Sequence, residues 1–543
     1  MTTEQLQARS RRRERFFGDR VVWAHAERAP SVYAGLSRAA QQNPQHTAMV
    51  FEGRRWSYLE LTSEIGRLAA ALRTQGVQPG DRVALWVRNR PEFILMFYAI
   101  AAIGAVSVPM DVRLQGAEAG YAIADAGAVL LVHDAELGER LPAVRESAPK
   151  CVIVELPDDP LVRVFSQQAE SGPPELPIVD PESIAVILYT SGSTGKPKGA
   201  AIAHANVVNA ALLQAGNFGL DTNDVSLVSV PLSHVTGLIC GVVGPLCSGG
   251  TLTLLAHFKA REFLAAAQDT GMTYAIMVPA MYNLCLRVED FDHYDLSSWR
   301  IGHFGGAPMP EATIETLQRK LPQLILVNGY GATETCSPAV MTPVGEGQPN
   351  IASVGKPLPG VEVIIMDPDT GVEVPVGEPG EIWIRSASVI PRYWNNPQAT
   401  SQALIGGFWR SGDLGLIDSE GYVYVRDRIK DLINRGGYKI YSAEVESVLY
   451  ACPGVIEAAI VARPDAVLGE RVHAFVNVTD GVTEAQLIAF CAERLADYKV
   501  PESWSLVNTA LLRNSAGKLD KKVMRAQMAE APALIPTTSG KKK

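Results

Sequence analysis

The strongest chemical signal in this 543-residue sequence is a loop rich in glycines, hydroxyl groups and lysines. Residues 189–199 read Tyr-Thr-Ser-Gly-Ser-Thr-Gly-Lys-Pro-Lys-Gly and continue directly from an apolar run that starts at residue 184. Glycines let backbone amides approach phosphate oxygens, hydroxyls donate hydrogen bonds, and lysines neutralise charge. The loop is not a Walker A motif, because Pro197 replaces the Ser or Thr required after Lys196. We predict a polyphosphate loop, with a solvated linker as the alternative.

Two further turns carry groups suited to a nucleotide. In the segment 328–335, Tyr330 offers a flat face for a base, Thr333 a hydroxyl for phosphate, and Glu334 a hard oxygen ligand for Mg²⁺. The turn 305–308 reads Gly-Gly-Ala-Pro and leaves room for a planar ring against the backbone. Each alone is an ordinary small-residue turn, but both follow apolar runs. Ligands of open α/β sheets bind beyond the carboxyl ends of such strands.

The elements that must position these turns alternate between short apolar runs and helix-length segments. Ser57 and Glu60 form a capping-box pattern at the start of a helix that ends near Gly76. This alternation predicts an α/β fold with mostly parallel, doubly wound sheets. The predicted strands are 83–86, 105–108, 129–132, 151–154, 184–189, 252–255, 274–278, 300–304 and 324–327.

Two smaller units are expected after the α/β body. Residues 354–385 show short strands with Pro and Gly turns, which predicts a small β-barrel-like unit, and mixed strands and helices follow residue 428. We therefore predict a large N-terminal domain at 1–429, a smaller α+β domain at 430–530 and a disordered tail at 531–543.

Composition excludes several classes of protein. The chain is 47% hydrophobic with a net charge of -9, which excludes a disordered protein and makes nucleic acid an unexpected partner. Its seven cysteines show no zinc spacing, and no apolar leader follows the N-terminal arginines, so we expect a cytoplasmic protein. The apolar run 93–110 is interpreted as a buried helix beginning at Pro91 and a following strand, rather than a membrane span.

Further segments extend the pattern beyond the three turns. They read Trp-Ser-Tyr-Leu-Glu-Leu at 56–61, Pro-Leu-Ser-His at 231–234, Trp-Arg-Ser-Gly-Asp at 409–413, Asp-Arg-Ile-Lys-Asp at 427–431 and Asn-Ser-Ala-Gly-Lys at 514–518. In their order, these segments and turns resemble the adenylate-forming superfamily of acyl-CoA synthetases, amino-acid adenylation domains and firefly-type luciferases. The resemblance covers nearly the whole chain.

The resemblance implies a two-step reaction. A carboxylate attacks the α-phosphate of Mg-ATP to give acyl-AMP and pyrophosphate, and a thiol then takes the acyl group. Because carboxylate and ATP repel each other, cations must stabilise the transition state. Lys518 matches the catalytic lysine of the family, Glu334 the magnesium ligand, and His234 a position between the ATP and acyl pockets. A surface lysine and a structural histidine are the alternatives.

By the same resemblance, Asp413 binds the ribose with Arg428 as its partner. The ATP-binding residues are expected to be Thr190, Ser191, Gly192, Ser193, Thr194, Gly195, Lys196, Lys198, Gly306, Ala307, Pro308, Tyr330, Gly331, Thr333, Asp413 and Arg428.

Lys430 matches the hinge about which a mobile C-terminal domain is expected to rotate after adenylation. CoA would then be bound by Arg435, Gly436, Gly437 and Lys439, the glycines leaving space for the pantetheine arm. A simple glycine turn is the alternative.

The residues that the resemblance places around the acyl group are small or apolar, which favours an apolar aliphatic or aryl acid. They are Thr236, Cys240, Ile276, Ala280, Gly305, Gly331 and Cys336. Amino-acid-activating members of the same superfamily usually carry an aspartate near the position of His234, but residues 232–238 contain none. The resemblance therefore implies that a substrate ammonium group would lack a partner, and an amino acid substrate is not expected.

The sequence therefore predicts an ATP-dependent acid:CoA ligase that uses ATP, Mg²⁺ and CoA. No carrier domain is expected after Lys518, which favours a free-standing ligase, and loading of a separate carrier protein is the main alternative. A luciferase-like oxygenase and a nucleotide sensor are further alternatives, and Lys196, Glu334 and Lys518 argue against the sensor. A homodimer is left open.

Overall fold

The computed structural model describes residues 11–156, 176–190, 196–307, 309–345, 352–513 and 519–530. They fall into two compact units. The first lies within Met1–Ile364, Trp383–Arg410 and Ser419–Val423, and the second within Ile365–Ile382, Ser411–Asp418 and Tyr424–Lys543. The predicted boundary between residues 429 and 430, and the predicted disorder of the tail 531–543, stay predictions; the tail lies outside the described residues.

The first unit contains a seven-stranded sheet, the first sheet, whose interior strands are parallel and apolar. The strands at one edge, Lys198–Ala203 and Arg392–Tyr393, run antiparallel to their neighbours. In spatial order the strands are Arg392–Tyr393, Lys198–Ala203, Ile184–Thr190, Val106–Pro109, Arg82–Trp86, Ala128–Asp134 and Val152–Leu156.

A nine-stranded second sheet is also parallel in its interior, with antiparallel strands at both edges. Its strands are, in spatial order, Lys356–Pro357, Ser337–Met341, Ile325–Ala332, Ile301–Gly305, Tyr274–Met277, Val225–Val228, Thr251–Leu254, Thr47–Phe51 and Arg54–Ser57. The two parallel sheets confirm the predicted α/β class, and the predicted strands lie within a few residues of the observed ones.

Helices connect these strands. The capping box at Ser57 and Glu60 begins the helix Tyr58–Thr74, as predicted. Every residue of Pro91–Ala102 except Glu92 is buried, because this helix packs against neighbouring helices. In the described part of the chain, no helix combines the length and apolarity needed to cross a bilayer. The other helices are Val32–Gln42, Gly116–Ala126, Leu141–Ser147, His204–Phe218, Gly244–Cys247, Ala260–Thr270, Pro279–Leu286, Glu311–Lys320 and Pro397–Ala403, with a π-helix at Thr236–Val243.

A smaller five-stranded sheet confirms the predicted β-rich unit but extends further along the chain than 354–385. Its strands are Glu362–Met366, Gly380–Arg385, Leu404–Ile405, Phe408–Ile417 and Val423–Arg428. An additional N-terminal hairpin pairs Arg11–Phe16 with Arg20–His25.

The second unit has its own hydrophobic core and a mixed sheet. Its strands are Ile433–Arg435, Tyr438–Ile440, Val455–Asp465, Gly469–Val478 and Ser503–Val507, and its helices are Ser442–Tyr450, Glu484–Ala492 and Lys521–Glu530. This arrangement confirms the predicted α+β character of the C-terminal part.

Candidate functional site

The predicted phosphate loop joins two antiparallel strands of the first sheet. Thr190 ends the strand Ile184–Thr190 and lies opposite Lys198, which begins the next strand. The Lys196 ammonium lies 5.9 Å from the centre of the Tyr121 ring. The strand pair therefore fixes both ends of the loop. The residues between them, Ser191, Gly192, Ser193, Thr194 and Gly195, lie outside the described residues.

Tyr393 connects this loop to the predicted magnesium ligand. Its hydroxyl donates a 2.8 Å hydrogen bond to Glu334 Oε1, and the Lys198 ammonium lies 5.5 Å from the centre of its ring. Burial and the neighbouring Glu334 carboxylate raise the pKa of Tyr393, so its phenol stays protonated and donates. Backbone pairing between Tyr393 and Ala200 places this side chain beside the loop. Sequence reasoning did not identify Tyr393.

The predicted turn after residue 330 has a defined backbone. The strand Ile325–Ala332 ends in the one-turn 3₁₀-helix Thr333–Thr335, where the Thr335 hydroxyl accepts from the Ala332 amide. Glu334 is only 8% exposed. Its Oε1 is oriented by Tyr393, and a carboxylate so held suits Mg²⁺, which commonly takes one or two protein carboxylates together with substrate phosphates. The donor chemistry at Glu334 therefore fits that ion.

The glycines near the turns after residues 304 and 330 are required for different structural reasons. A Cβ on Gly305 would lie 2.5 Å from the Gly329 carbonyl oxygen, so its missing side chain permits close approach of two strands. Gly306 has a positive φ of 78° with open space beside it, which leaves the backbone accessible. Ala307 and Gly331 are exposed, whereas Tyr330 and Thr333 are half-buried. Pro308 lies outside the described residues.

His234 lies between the ends of the two large sheets. Its Nε2 is 3.0 Å from Asp111 Oδ2, although 123 residues separate the two in sequence. Arg113 donates to the same carboxylate through Nε at 2.9 Å and Nη2 at 2.7 Å. These bonds hold the pKa of Asp111 well below its ordinary value despite the opposing effect of burial. Asp111 follows the first-sheet strand Val106–Pro109, and its position beyond a strand end was the only sequence signal for it.

Asn89 fixes the backbone that carries His234. Its amide nitrogen donates to the Val230 carbonyl at 2.9 Å, and its oxygen accepts from the Leu232 amide at 2.9 Å. Asn89 is buried and follows the strand Arg82–Trp86. The first sheet thus holds both the histidine-bearing loop and the imidazole itself. Sequence reasoning missed Asn89 as well.

The predicted acyl-pocket residues differ in exposure. Cys240, Ile276 and Cys336 are buried, Thr236 is half-buried, and Ala280 is exposed. Burial raises the pKa of Cys336 well above its ordinary value, and the Cys240 thiol adds to this effect.

Three buried polar side chains form a hydrogen-bonded chain that begins at the backbone of Cys240. Gln214 Nε2 donates to the Cys240 carbonyl at 2.8 Å and to the Tyr274 hydroxyl at 2.6 Å, and that hydroxyl lies 3.2 Å from His303 Nδ1. Burial lowers the pKa of His303 to about 3, which keeps the ring neutral.

In the second unit, the predicted ribose pair is adjacent. Arg428 Nε lies 3.3 Å from Asp413 Oδ1, and Asp413 is buried while Arg428 is exposed. Lys430 lies in the 3₁₀-helix Ile429–Asp431; partial burial and the nearby Arg428 cation lower its pKa. The structure thus brings Asp413, Arg428 and Lys430 together.

The strand end before the predicted hinge is anchored within the same unit. Asp427 accepts hydrogen bonds from the amide and hydroxyl of Ser442, and Lys521 donates to that hydroxyl at 2.9 Å. Lys521 also pairs with Glu446 at 2.6 Å. Asp427, the residue before Arg428, is therefore connected through Ser442 and Lys521 to the helices that these two residues begin. Lys518, the predicted catalytic lysine, lies outside the described residues.

The predicted CoA-binding segment is a tight hairpin. Gly436 and Gly437 have φ angles of 58° and 96° and connect Ile433–Arg435 to Tyr438–Ile440. Two consecutive positive φ angles are the requirement of a type I′ turn. Arg435 pairs with Glu502 at 2.7 Å, and Lys439 is exposed. The turn alone thus accounts for both glycines.

Comparison with known proteins relates most of the chain to one group of enzymes. The family described as AMP-binding enzyme matches residues 36–394, and the AMP-binding enzyme C-terminal domain matches residues 444–518. A feruloyl-CoA synthase from Amycolatopsis is 35% identical over 90% of this chain and 97% of its own.

Two further similarities concern the acceptor and the intermediate. A fatty acid–[acyl-carrier-protein] ligase from Streptomyces coeruleorubidus is 33% identical over 90% of this chain and 94% of its own. The o-succinylbenzoate CoA synthetase of Bacillus subtilis, solved with its acyl-adenylate intermediate, has a TM-score of 0.83 at 29% identity, covering 92% of this chain and 98% of that chain.

Proposed function

Since the chain belongs to the AMP-binding enzyme family and is an ATP-dependent, AMP-forming acid:CoA ligase, we propose that it activates an apolar aliphatic or aryl carboxylic acid through the residues described above. The acid becomes acyl-AMP with release of pyrophosphate, and the acyl group then passes to the CoA thiol.

The observation that carries the residue assignments is the convergence of Lys198, Tyr393 and Glu334. The Lys198 ammonium lies over the ring of Tyr393, and the buried Glu334 carboxylate accepts a hydrogen bond from the hydroxyl of the same tyrosine. The lysine and the glutamate are far apart in sequence. A cation for phosphate oxygens beside an oxygen ligand for Mg²⁺ is the arrangement that Mg-ATP requires. When bound, Mg²⁺ supplies positive charge to the phosphates.

In the first step, the acid carboxylate attacks the α-phosphorus, and the bond to pyrophosphate breaks. Lys196 and Lys198, with the loop amides and hydroxyls, hold the phosphate oxygens. Tyr330 and the backbone at Gly306 border the base, while Asp413 and Arg428 hold the ribose. Lys518 brings a further cation to the charge that develops in the transition state.

In the second step, the CoA thiol attacks the acyl carbonyl and AMP leaves. We propose that Lys430 is the hinge of the change between the two steps, and that the Gly436–Gly437 turn and Lys439 border the route of the thiol. The hydrogen bonds between Asp427 and Ser442 join residues on the two sides of Lys430, so the proposed rotation has to break them.

The acid itself is proposed from the side chains of the acyl pocket. Cys240, Ile276 and Cys336 are buried and apolar. The Asp111 carboxylate beside His234 is already paired with Arg113, which argues against its use as the partner of a substrate ammonium group. The feruloyl-CoA synthase acts on an aryl acid and the Streptomyces ligase on a fatty acid, so both classes belong in the substrate panel.

One acceptor of the acyl group other than CoA has specific support. The Streptomyces relative is a ligase for an acyl-carrier protein, so loading of a separate carrier remains the second candidate. We further propose that the enzyme works in the cytoplasm, a reducing compartment that suits its seven free thiols. Sedimentation velocity of the purified chain tests whether it forms a homodimer.

The deciding experiment is ATP-dependent pyrophosphate release with a panel of aliphatic and aryl acids, with and without CoA. AMP together with an acyl-CoA supports the proposed ligase and names its acid. Acyl-AMP that ignores CoA but loads a carrier protein favours the alternative. Absence of turnover with every acid contradicts both.

Lys518→Ala tests the assignment of the catalytic cation. We expect acyl-AMP formation to fall about 100- to 1,000-fold, the usual effect of losing one group that stabilises transition-state charge. Transfer to CoA from supplied acyl-AMP should remain near normal, because that step does not use the lysine. Lys522→Ala, on an exposed residue of the following helix, is the matched control. Equal loss of both steps would contradict the proposed alternation.

A further inference from the structure

His234 depends on a partner that the sequence motif does not contain. The imidazole Nε2 lies 3.0 Å from Asp111 Oδ2, and the side chain of His234 is 37% exposed while that of Asp111 is 9% exposed. The other ring nitrogen, Nδ1, has no hydrogen-bond partner among the described residues. The histidine is thus held at one nitrogen and presents the other.

The charge of Asp111 is both fixed and compensated. Arg113 forms two side-chain hydrogen bonds to its carboxylate, and the Arg113 backbone amide donates a third at 2.9 Å. An ionised carboxylate only accepts hydrogen bonds, so the facing Nε2 of His234 must carry the proton. The Arg113 cation balances the carboxylate, so an approaching substrate anion meets no excess negative charge.

The two sheets make this contact specific. Asp111 follows a parallel strand of the first sheet, and His234 follows the second-sheet strand Val225–Val228. The Trp86 indole donates to the Asp111 carbonyl at 3.0 Å, which fixes the backbone of the aspartate, and Asn89 fixes the loop before the histidine. Buried hydrogen bonds thus hold the backbone on both sides of the contact.

We infer that Asp111 is a positioning residue for adenylation, which holds the His234 imidazole with Nε2–H toward Asp111 and Nδ1 toward the carboxylate of the incoming acid. Arg113 holds Asp111 in turn. This inference rests on the proposed function, since it assigns a task to a side chain of that same site. A His234 ring that carries protons on both nitrogens donates from Nε2 to Asp111 and from Nδ1 to the carboxylate of the acid, whereas an unprotonated Nδ1 presents a lone pair and cannot bind that carboxylate.

A double-mutant cycle tests the inference. Asp111→Asn, His234→Ala and the double variant are assayed for acid-dependent pyrophosphate release. We expect Asp111→Asn to lower kcat/KM for the acid about 10- to 100-fold, the usual range for one hydrogen bond to a charged group. In the His234→Ala background the same change should have less than a twofold effect, because Asp111 acts through the histidine.

Two further measurements separate positioning from folding. Asp224→Asn alters another buried carboxylate that accepts two hydrogen bonds from one arginine, Arg300, at 2.9 and 2.8 Å, but it precedes the strand Val225–Val228 and does not touch His234. It should reduce thermal stability without lowering kcat/KM for the acid. ATP affinity without acid, measured by calorimetry, should be unchanged in Asp111→Asn.

Additive losses in the cycle, or an equal loss of ATP affinity, would overturn the role of Asp111 while leaving the ligase assignment intact. An inactive wild-type enzyme with every acid would instead overturn the proposed function. Nitrogen NMR of the imidazole reports the protonated atom directly, and an Nδ1–H tautomer in the wild type also contradicts the inference.

Discussion

At the scale of single residues, the phenol of Tyr393 links two charged groups of the site. It donates to Glu334 and places its ring beside Lys198. A buried carboxylate without a donor pays for its desolvation, so the hydroxyl also keeps Glu334 stable in its position. The sequence pattern marks Lys198 and Glu334, but the group that relates them comes from a two-residue strand at Arg392–Tyr393.

Tyr393→Phe tests this link. The ring and its contact with Lys198 remain, while Glu334 loses a donor. We expect affinity for ATP in the presence of Mg²⁺ to fall about tenfold, corresponding to one hydrogen bond to a charged group. Affinity for ATP with EDTA should change less than twofold. Calorimetric titration with and without Mg²⁺ measures both.

The matched control for that variant is Tyr424→Phe. It also removes a tyrosine hydroxyl that donates to a carboxylate, Asp418 Oδ2 at 3.0 Å, and it lies in the second unit. It should leave the magnesium dependence unchanged. A Tyr393→Phe enzyme with normal magnesium dependence would show that the hydrogen bond from Tyr393 does not orient Glu334 as the proposed magnesium ligand.

At the scale of elements, the hairpin at Gly436–Gly437 has to satisfy its own backbone before it can serve a substrate. Both residues have positive φ angles, which cost a side-chain-bearing residue about 1 kcal/mol or more. A leucine at Gly437 would therefore strain the turn regardless of any thiol route. Asn-Gly is the favoured pair of a type I′ turn, so asparagine at the first position preserves the hairpin.

Gly436→Asn separates the turn from the thiol route. A Cβ at Gly436 would lie 3.1 Å from Leu468 Cδ2, the end of a flexible side chain that can shift, so we expect an unfolding temperature close to normal. Acyl-AMP formation should be normal and transfer to CoA severalfold slower, because a side chain enters the proposed route. Stopped-flow assays of each half-reaction check this result. Gly437→Ala serves for comparison and should lower the free energy of unfolding by about 1 kcal/mol. Unchanged transfer in Gly436→Asn would leave the turn as the sole role of this glycine.

At the scale of the whole molecule, buried neutral histidines set the response of stability to acid. Burial lowers the pKa of His204 and His473 to about 4 and that of His303 to about 3, and partial burial together with nearby Arg11 and Arg28 lowers that of His25 to about 4. Between these values and the ordinary value near 6.5, the unfolded chain binds more protons than the folded one. Stability is therefore full above about pH 6.5 and is lost as pH falls toward 4.

Urea unfolding at pH 7.5 and pH 5.0 measures this loss. The wild type should have a lower urea midpoint at pH 5.0, and His303→Gln should show a smaller difference between the two pH values, because one titrating group is absent. His257→Gln changes an exposed histidine and should keep the wild-type difference. A midpoint independent of pH across this window would contradict the assignment of neutral buried histidines.

The sequence by itself determined the parts of this protein that depend on neighbouring residues. The capping box at Ser57 and Glu60, the buried helix from Pro91 and the apolar strands are local patterns, and the structure confirms them. Glycine, hydroxyl and lysine groups at strand ends likewise marked the turns, since parallel strands bring their carboxyl ends to one edge. The roles assigned to those residues stay proposals.

Only the tertiary structure decided which distant side chains meet. Asp111 and His234 are 123 residues apart, Glu334 and Tyr393 are 59 apart, and Asn89 and Leu232 are 143 apart. Their contacts depend on the order of strands within each sheet and on how the two sheets of the first unit meet. Periodicity and turn chemistry record only the preferences of adjacent residues, so these partners carry no signal in the sequence of a single chain.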